Sequence, residues 1–148
     1  MRDHLDGDEV FMANYADGLT DVGLNADVAE FVASDAVAKF LAVTPPVSYH
    51  LVAVGADHKV TGMEAMAESS IKINGGFFIV RQEVFEHMND GEELVVEPFN
   101  RLLKQGKLEA AECDGFWAPM VTFKDQQRLE DLFTSGEAPW MVWKHGQR

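Results

Sequence analysis

Short apolar runs, each ended by turn residues, divide this chain into strands and helices. Four of these runs predict β-strands, at residues 10–15, 38–43, 71–80 and 108–113. The first run, which we expect to be buried, ends at Ala16-Asp17-Gly18, a turn sequence. The second is expected to be an apolar strand. It stops before Pro45-Pro46, because proline has no backbone N–H to donate a hydrogen bond in a sheet. The third is interrupted by Asn74-Gly75-Gly76.

Amphipathic segments between these runs predict helices at residues 26–33, 83–88, 93–105 and 124–133. Asn25 is the expected cap of the first helix, and Gly136 marks the end of the last. The apolar faces expected for these two helices are Val28, Phe31 and Val32, and Leu129, Leu132 and Phe133.

The order of the predicted elements indicates the fold class. Residues 49–54 and 59–64 flank Gly55-Ala56-Asp57-His58, which predicts a β-hairpin. Elsewhere strands and helices alternate, as is typical of α/β proteins. Because the hairpin breaks this alternation, we expect a mixed sheet with flanking helices. Trp140 and Trp143 predict a docked apolar tail.

Composition and charge exclude several classes of partner. At 148 residues, 47% of them hydrophobic, the chain is expected to form one domain, residues 1–148. A formal net charge of -13 argues against DNA or RNA as a partner, but not against a mononucleotide. No apolar run reaches about 18 residues, so no membrane span is expected. The single Cys113 and the acidic residues 1–8, which lack a signal-peptide core, predict a cytoplasmic protein.

Asp17 is the first candidate site residue. It follows a predicted strand, where α/β sheets bind ligands, and a carboxylate there could hold Mg²⁺ against phosphate oxygens. The adjoining Gly18 permits close approach of a ligand to the backbone. Alternatively, Asp17 is a turn residue that binds only its own backbone.

Three other positions carry candidate chemistry, each with a structural alternative. Asn74-Gly75-Gly76 could place a sugar against the backbone, or could be a bulge that only bends the sheet. Glu97 could bind sugar hydroxyls, or could complement a helix dipole. Phe116 and Trp117 could wall a pocket, or could belong to the core.

Familiar nucleotide and metal motifs are absent from the sequence. It contains no glycine-rich dinucleotide motif, no Walker motif and no zinc-protease motif. Cys113 has no Cys or His partner at short spacing, and the histidines show no ligand spacing, so no zinc site is expected. The histidines are His4, His50, His58, His87 and His145.

Several short segments, in register from about residue 9 to residue 144, resemble a known family. They are Tyr15-Ala16-Asp17-Gly18-Leu19-Thr20-Asp21-Val22, Ile73-Asn74-Gly75-Gly76-Phe77-Phe78, Gly91-Glu92-Glu93-Leu94-Val95-Val96-Glu97-Pro98-Phe99, Asp114-Gly115-Phe116-Trp117, Thr122-Phe123-Lys124-Asp125 and Ala138-Pro139-Trp140-Met141-Val142-Trp143. In this order they resemble the later part of sugar-1-phosphate nucleotidyltransferases, and most of all the glucose-1-phosphate cytidylyltransferase group.

The resemblance implies a partial Rossmann-like fold and a reaction. A nucleotidyl group, cytidylyl in that group, passes from a nucleoside triphosphate to a sugar 1-phosphate, and pyrophosphate leaves. Mg²⁺ is the implied cofactor. Asp17 falls on the family's first metal aspartate, and Ala16 and Gly18 fall beside the nucleotide. The positions implied around the sugar are Asn74, Gly75, Gly76, Glu97 and Trp117.

The sequence departs from the family pattern in ways that bear on activity. Val121 stands where the family has its second metal aspartate, and valine cannot coordinate Mg²⁺. Ala16 replaces a glycine, and the family's Glu-Lys-Pro segment is absent around Glu64-Ala65-Met66. The family's N-terminal strands, with their phosphate-binding loop, are also expected to be absent from this chain.

These departures set three expectations. The chain alone is expected to be inactive. The alternatives are a degenerate, non-catalytic module that binds sugar or nucleotide, and one subunit of a split enzyme. The sheet edge beside residues 10–14 is expected to be covered by self-association or by a partner.

Overall fold

A computed structural model describes residue 5 and residues 7–144, which form strands, helices and short 3-10 turns. The described part leaves out residues 1–4, 6 and 145–148. The predictions for His4, His145 and much of the acidic segment 1–8 therefore fall outside it. The strands are β1 Val10–Ala13, β2 Gly18–Thr20, β3 Ala38–Val43, β4 His50–Val54, β5 Val60–Ala65, β6 Ile73–Asn74, β7 Phe78–Arg81, β8 Leu108–Cys113 and β9 Trp117–Pro119. The α-helices are α1 Leu24–Ala33, α2 Glu97–Lys104 and α3 Phe123–Ser135.

The main sheet is mixed, as the sequence predicts. β1 pairs antiparallel with β7, β7 pairs antiparallel with β3, and β8 pairs parallel with β3. The short β6 continues along the β7 side of β3, opposite Ala42 and Val43. β1, β3 and β8 therefore run in the same direction and end at one edge of the sheet, which we call the carboxyl edge. In open α/β sheets, this edge is where ligands bind.

Helices cover both faces of the sheet because strand residues alternate between the faces. Phe78 and Val80 face α2, where they pack with Phe99 and Leu102. Ile79 points the other way and packs against Phe31 of α1. A third cluster, Leu41, Val43 and Cys113, lies towards the carboxyl edge, with Trp117 packed against it. Cys113 is buried and free.

Lys39 departs from the apolar pattern expected for β3. Its side chain is buried on the α1 side and pairs with Glu30, and its Nζ lies 3.8 Å from an Asp27 oxygen. A buried cation needs such partners because its charge has been removed from water. Removing one partner of a buried ion pair costs about 3–5 kcal/mol, since the remaining charge is left uncompensated. Both partners belong to α1, so the residues of β3 gave no sign of them.

Arg81, at the end of β7, joins the sheet to the end of α1. Its Nη2 donates to the carbonyl oxygens of Phe31, Val32 and Ser34 at 3.1–3.2 Å, and its Nε donates to Ala36 O at 2.9 Å. The last carbonyl groups of a helix have no partner within the helix. Arg81 supplies those partners and a positive charge at the negative end of the helix.

Some predicted element boundaries are wrong. Asn25 is not the cap of α1, which begins at Leu24 after Gly23 and has no side-chain cap. The predicted helix 93–105 begins only at Glu97, because Pro98 suits a first turn. The first strand ends at Ala13 and is half-buried rather than buried. The short segment 83–88 is a 3-10 helix, Gln82–His87.

Two predicted apolar faces are also only partly correct. Phe31 is fully buried, whereas Val32 is 54% exposed. On α3, Leu129 is buried and Phe133 is 59% exposed. In the tail, Trp140 packs on Phe116 with ring centroids 5.6 Å apart, whereas Trp143 is 69% exposed.

The predicted hairpin, the strand at residues 108–113 and the end of the last helix are confirmed. β4 and β5 form the antiparallel hairpin, and β8 has the predicted bounds. The α3 helix begins with a capping box between Thr122 and Asp125 and ends at Gly136, which has φ 80°. Within the described residues, no helix is long and apolar enough to cross a membrane.

Candidate functional site

The candidate site lies at the carboxyl edge, where the chain leaves three parallel strands. Residues 14–17 follow β1, Thr44 and Pro45 follow β3, and Asp114 and Gly115 follow β8. Sequence reasoning placed Asp17 at a strand end but missed the two short strands, β2 and β9, that hold it.

The β2–β9 ribbon fixes Asp17 beside residues 120 and 121. Gly18 pairs with Pro119 in the ribbon, and the Met120 N–H donates to the Asp17 carbonyl oxygen at 2.8 Å. Val121 follows directly and is 73% exposed. The two positions that the family resemblance assigns to metal carboxylates are therefore neighbours, and only Asp17 carries a carboxylate.

Asp21 locks the turn that enters β9. Its Oδ1 accepts from the Phe116 N–H at 2.7 Å, and the Thr20 hydroxyl donates to the Phe116 carbonyl oxygen at 2.9 Å. A Cβ atom at Gly115 would lie 2.3 Å from Asp21 Oδ1, so a larger residue there would displace the Asp21 carboxylate. These contacts fix the position of Trp117, the next residue.

The glycines of Asn74-Gly75-Gly76 are required by close contacts. The Trp117 indole N–H donates to the Gly75 carbonyl oxygen at 2.9 Å, and a Cβ at Gly75 would lie 2.6 Å from Val43 Cγ1. Gly76 has φ 78°, which favours glycine. The Asn74 side chain is used locally, because its Oδ1 accepts from the Gly76 N–H at 2.9 Å. The Asn74-Gly75-Gly76 segment therefore forms the surface against which Trp117 packs.

Gly18, Gly75 and Trp117 come together in the structure. A Cβ at Gly18 would lie 3.8 Å from the Trp117 indole nitrogen and 4.0 Å from the Gly75 carbonyl oxygen. Asp17 and Ala16, both exposed, adjoin this cluster along the chain, and Asn74 and Gly76 adjoin it on the other side. The structure thus joins two segments that are more than fifty residues apart in sequence.

Glu97 lies at the start of α2, and its assignment to the sugar stays a prediction. It is the exposed first residue of α2, and its described electrostatic neighbour is Arg101, one turn later. This location fits the helix-dipole alternative. The acidic segment before α2 instead approaches the site through Glu93. Burial, followed by the charges of Glu93 and Asp17, raises the pKa of Tyr15 above its ordinary value.

Tyr15 and Asn14 were not predicted as site residues, because they were assigned to the apolar strand 10–15 as its last two residues. The Tyr15 ring packs edge-on against Phe78 with centroids 5.3 Å apart. Asn14 Oδ1 accepts from the Phe77 N–H at 2.8 Å, which ties the end of β1 to the glycine segment. A polar residue at the end of an apolar run was the available signal.

Comparison with known proteins covers nearly the whole chain. It is 33% identical over 145 residues to the glucose-1-phosphate cytidylyltransferases of Salmonella typhimurium and Salmonella typhi, with 97% of this chain and 56% of each relative covered. The chain is homologous to part of the sugar-1-phosphate nucleotidyltransferases. It therefore spans little more than half the length of these relatives. No family model matches it.

A solved structure supports the nucleotidyltransferase fold. A protein from Bacillus anthracis, named a glucose-1-phosphate thymidylyltransferase, superposes with a TM-score of 0.63 at 20% identity, over 88% of this chain and 56% of that one. Together with the mixed sheet and its flanking helices, this confirms the predicted partial Rossmann-like α/β fold.

The nucleotidyltransferase resemblance implies Mg²⁺, but the described residues offer it few ligands. No group of three or more His, Cys, Asp or Glu side chains suited to a metal exists in residue 5 and residues 7–144. Asp17 supplies one carboxylate, and Val121 supplies none. Mg²⁺ is nevertheless often held by one or two carboxylates with water and substrate phosphates. The arrangement therefore fits a Mg²⁺ ion coordinated mainly by substrate phosphates and water, and not one coordinated by protein side chains alone.

Proposed function

We propose that this chain serves nucleotidyl transfer from a nucleoside triphosphate to a sugar 1-phosphate, which yields a nucleotide sugar and pyrophosphate. The names of its relatives favour cytidylyl as the group and glucose as the sugar. The observation that carries the proposal is the meeting of Gly18, Gly75 and Trp117 next to Asp17 at the carboxyl edge.

In the proposed reaction, a phosphate oxygen of the sugar 1-phosphate attacks the α-phosphorus in line. A new O–P bond forms, the bond from the α-phosphorus to the bridging oxygen breaks, and pyrophosphate leaves. Such a transfer depends on positioning and on stabilising charge. The glycines allow the substrate to approach the backbone, Trp117 offers a flat wall, and Asp17 is the proposed protein ligand of a phosphate-borne Mg²⁺. That ion would neutralise phosphate charge.

A second function is a non-catalytic module that binds sugar phosphate or nucleotide, alone or as one part of a split enzyme. Val121 favours this alternative, because the exposed valine beside Asp17 removes a carboxylate from the ribbon. Loss of one preorganised electrostatic group commonly costs about 10²–10³ in rate. We therefore expect the isolated chain to bind ligands without measurable turnover.

Binding of the implied product, CDP-glucose, tests the proposal. Titration calorimetry on the purified chain should show tighter binding with Mg²⁺ than without it, and Asp17→Asn should remove that difference. Asp90→Asn, which neutralises an exposed loop carboxylate, is the matched control and should behave like the wild type. Binding that is insensitive to both Mg²⁺ and Asp17 would contradict the proposed site.

Pyrophosphate release from CTP, glucose 1-phosphate and Mg²⁺ separates the two functions. No release from the wild type supports the binding module. Release that disappears in Asp17→Ala shows that the chain is a complete enzyme. Val121→Asp should strengthen Mg²⁺ binding beside Asp17, because it adds a carboxylate at the neighbouring position.

A further inference from the structure

Phe77 has a backbone conformation that residues other than glycine rarely adopt. Its φ is 53°, in the left-handed region, and it directly follows Gly76, whose φ is 78°. Among the described non-glycine residues, only His58, in the turn of the β4–β5 hairpin, shares a positive φ. Such conformations persist where neighbouring groups hold them, and they cluster at functional sites. The contacts of Phe77 therefore show what holds this turn.

The side chain of Asn14 continues the β1–β7 pairing beyond its last backbone pair. Ala13 is paired with Phe78, so the next residues along the two strands are Asn14 and Phe77. The Phe77 N–H donates to the side-chain oxygen of Asn14 at 2.8 Å. A backbone N–H that has left the ladder needs an acceptor of this kind. Asn14 therefore supplies the acceptor for the residue with the unusual φ.

The two glycines before Phe77 are held by other parts of the molecule. The Gly75 N–H donates to the Leu41 carbonyl oxygen at 2.8 Å, and the Leu41 N–H donates to the Gly76 carbonyl oxygen at 3.0 Å. The Gly76 N–H donates to Asn74, and the Gly75 carbonyl oxygen accepts from the Trp117 indole. None of these partners belongs to the loop after β1.

The loop after β1 is joined to residues 74–77 by one described hydrogen bond, that from the Phe77 N–H to Asn14. The Phe77 ring contacts the end of the same loop, because a Cβ at Gly18 would lie 3.6 Å from the Phe77 Cε2 atom. Gly18 directly follows Asp17. The position of Phe77, which Asn14 holds, therefore bears on the position of Asp17.

The Asn14 side chain also fits closely over Gly76. A Cβ at Gly76 would lie 2.6 Å from Asn14 Oδ1 and 3.1 Å from Tyr15 Cδ2. Even an alanine at this position would therefore displace the oxygen that accepts from Phe77. The absence of a side chain at Gly76 and the acceptor on Asn14 are two parts of one arrangement.

We propose that Asn14 is a positioning residue of the candidate site: its side-chain oxygen holds the turn at Gly76 and Phe77. That turn fixes the Gly75 carbonyl oxygen, which accepts from Trp117. Asn14 acts on a bound ligand through this backbone and does not itself touch the ligand. A displacement of about 1 Å in such a support can cost about 10²-fold in rate. The inference rests on the proposed function for the identity of the ligand.

The Trp117 indole signal in nitrogen–proton NMR spectra of the ligand-free chain tests the proposal, because hydrogen bonding moves an indole proton downfield. Asn14→Leu keeps the approximate size of the side chain but removes the acceptor. It should move the Trp117 signal, assigned with Trp117→Phe, upfield, and leave that of Trp140 in place. Asn14→Asp keeps an acceptor oxygen and should leave the Trp117 signal near its wild-type position.

Asn25→Leu is the matched control for this measurement. Asn25 is exposed in α1 and has no side-chain hydrogen bond to a described residue. Its replacement makes the same chemical change as Asn14→Leu, at a position without a described acceptor role. The Trp117 signal should therefore not move in Asn25→Leu.

Hydrogen exchange gives a second measurement, which the wild type alone can supply. The Phe77 N–H should exchange slowly in the wild type and in Asn14→Asp, because its acceptor is present. If circular dichroism shows that Asn14→Leu does not fold, Asn14→Ala removes the same acceptor without adding an apolar group. The Phe77 N–H should then exchange rapidly in Asn14→Ala. Rapid exchange of this N–H in the wild type would overturn the proposal.

Calorimetry with CDP-glucose measures the consequence for binding. Asn14→Leu should weaken binding about tenfold, the upper range for the loss of one net hydrogen bond, and Asn25→Leu should bind like the wild type. Weaker binding by Asn14→Leu with an unmoved Trp117 signal would show that Asn14 contacts the ligand directly, which overturns the positioning role. Equal binding by the two leucine variants would also overturn it.

The results for Asn14 and for the proposed function are separable. A Trp117 signal that Asn14→Leu leaves unchanged refutes the positioning role, whether or not CDP-glucose binds. A signal that moves in Asn14→Leu and returns in Asn14→Asp, in a chain that does not bind CDP-glucose, upholds Asn14 as the residue that positions Trp117. That combination would refute only the proposed ligand.

Discussion

At the scale of single residues, the contact between Trp117 and Gly75 organises the candidate site. The indole donates to the Gly75 carbonyl oxygen, and the absence of a side chain at Gly75 makes room for Val43 and the indole. Trp117 thus packs against a buried cluster and also borders the candidate site, and its role as the wall of a ligand pocket stays a prediction.

Gly75→Ala should destabilise the protein because the added methyl would lie 2.6 Å from Val43 Cγ1 and 3.1 Å from the Trp117 indole nitrogen. Overpacking of this kind costs about 1–3 kcal/mol. Urea unfolding measures the loss. Gly62→Ala is the control, because its methyl would meet Ala53 Cβ at an ordinary 3.7 Å. Equal effects of the two substitutions would show that the contact at Gly75 is not tight.

Glu92 and Arg101 predict a pH dependence of stability. Arg101 donates to both Glu92 oxygens at 2.5 and 2.6 Å. Hydrogen bonds from Arg101, then from Asn89, lower the pKa of Glu92 from 4.5 to about 2. Because this pKa is lowered by folding, the pair stabilises the protein above pH 4.5, and that stability is lost as the pH falls towards 2.

The difference in unfolding free energy between the wild type and Glu92→Gln should therefore be constant above about pH 5.5 and shrink between pH 4.5 and pH 2. Denaturant titrations across this range measure it. Arg101→Gln removes the same pair and should show the same trend, and the double variant should be less than additive. A difference that grows on acidification would contradict the assigned pair.

At the scale of elements, local signals predicted some segments fully and others poorly. The α3 helix carries its own start and stop signals, the Thr122–Asp125 box and Gly136. The predicted range, 124–133, used only the stop signal and is one residue short at the start and two at the end. β2 and β9 are three residues each and exist because they pair across nearly one hundred residues of sequence. No local pattern predicts such a pairing. The same reason explains Lys39, whose partners lie on α1, and Glu93, which approaches Tyr15 from another segment.

Arg81 should be important for the docking of α1 on the sheet. Arg81→Gln removes the guanidinium donors to four carbonyl oxygens, although the Phe31 oxygen keeps the Ser34 N–H and hydroxyl as donors. A buried acceptor without a partner costs about 1–3 kcal/mol. Arg81→Lys should fall between the wild type and Arg81→Gln, because an ammonium group keeps the charge but not the planar set of donors. Thermal unfolding compares them, with Lys104→Gln as a neutral control. An Arg81→Lys variant as stable as the wild type would show that charge alone is sufficient.

At the scale of the whole molecule, the question is what covers the exposed surfaces of the sheet. Among the described residues, β1 has β7 as its one neighbour in the sheet, and Met12 on it is 48% exposed. The β4–β5 hairpin also exposes Val52, Val54, Val60 and Met63, each at least 50% exposed. Edge strands and exposed apolar faces favour association. The net charge of -13 opposes association between copies, because they repel one another.

These opposing effects predict self-association that strengthens with salt. Raising the ionic strength from about 0.01 M to 0.1 M shortens the Debye length from about 30 to 10 Å, which weakens repulsion between copies but not apolar contact. Sedimentation velocity should therefore show a larger mean mass at the higher salt concentration. Met12→Lys should lower that mass if the β1 edge is the contact, and Met63→Lys should lower it if the hairpin is. We expect the effect from Met12→Lys, because an edge strand also offers unpaired backbone groups. A monomer at every salt concentration, or an effect of Met63→Lys alone, would show that the β1 edge is not a self-association surface.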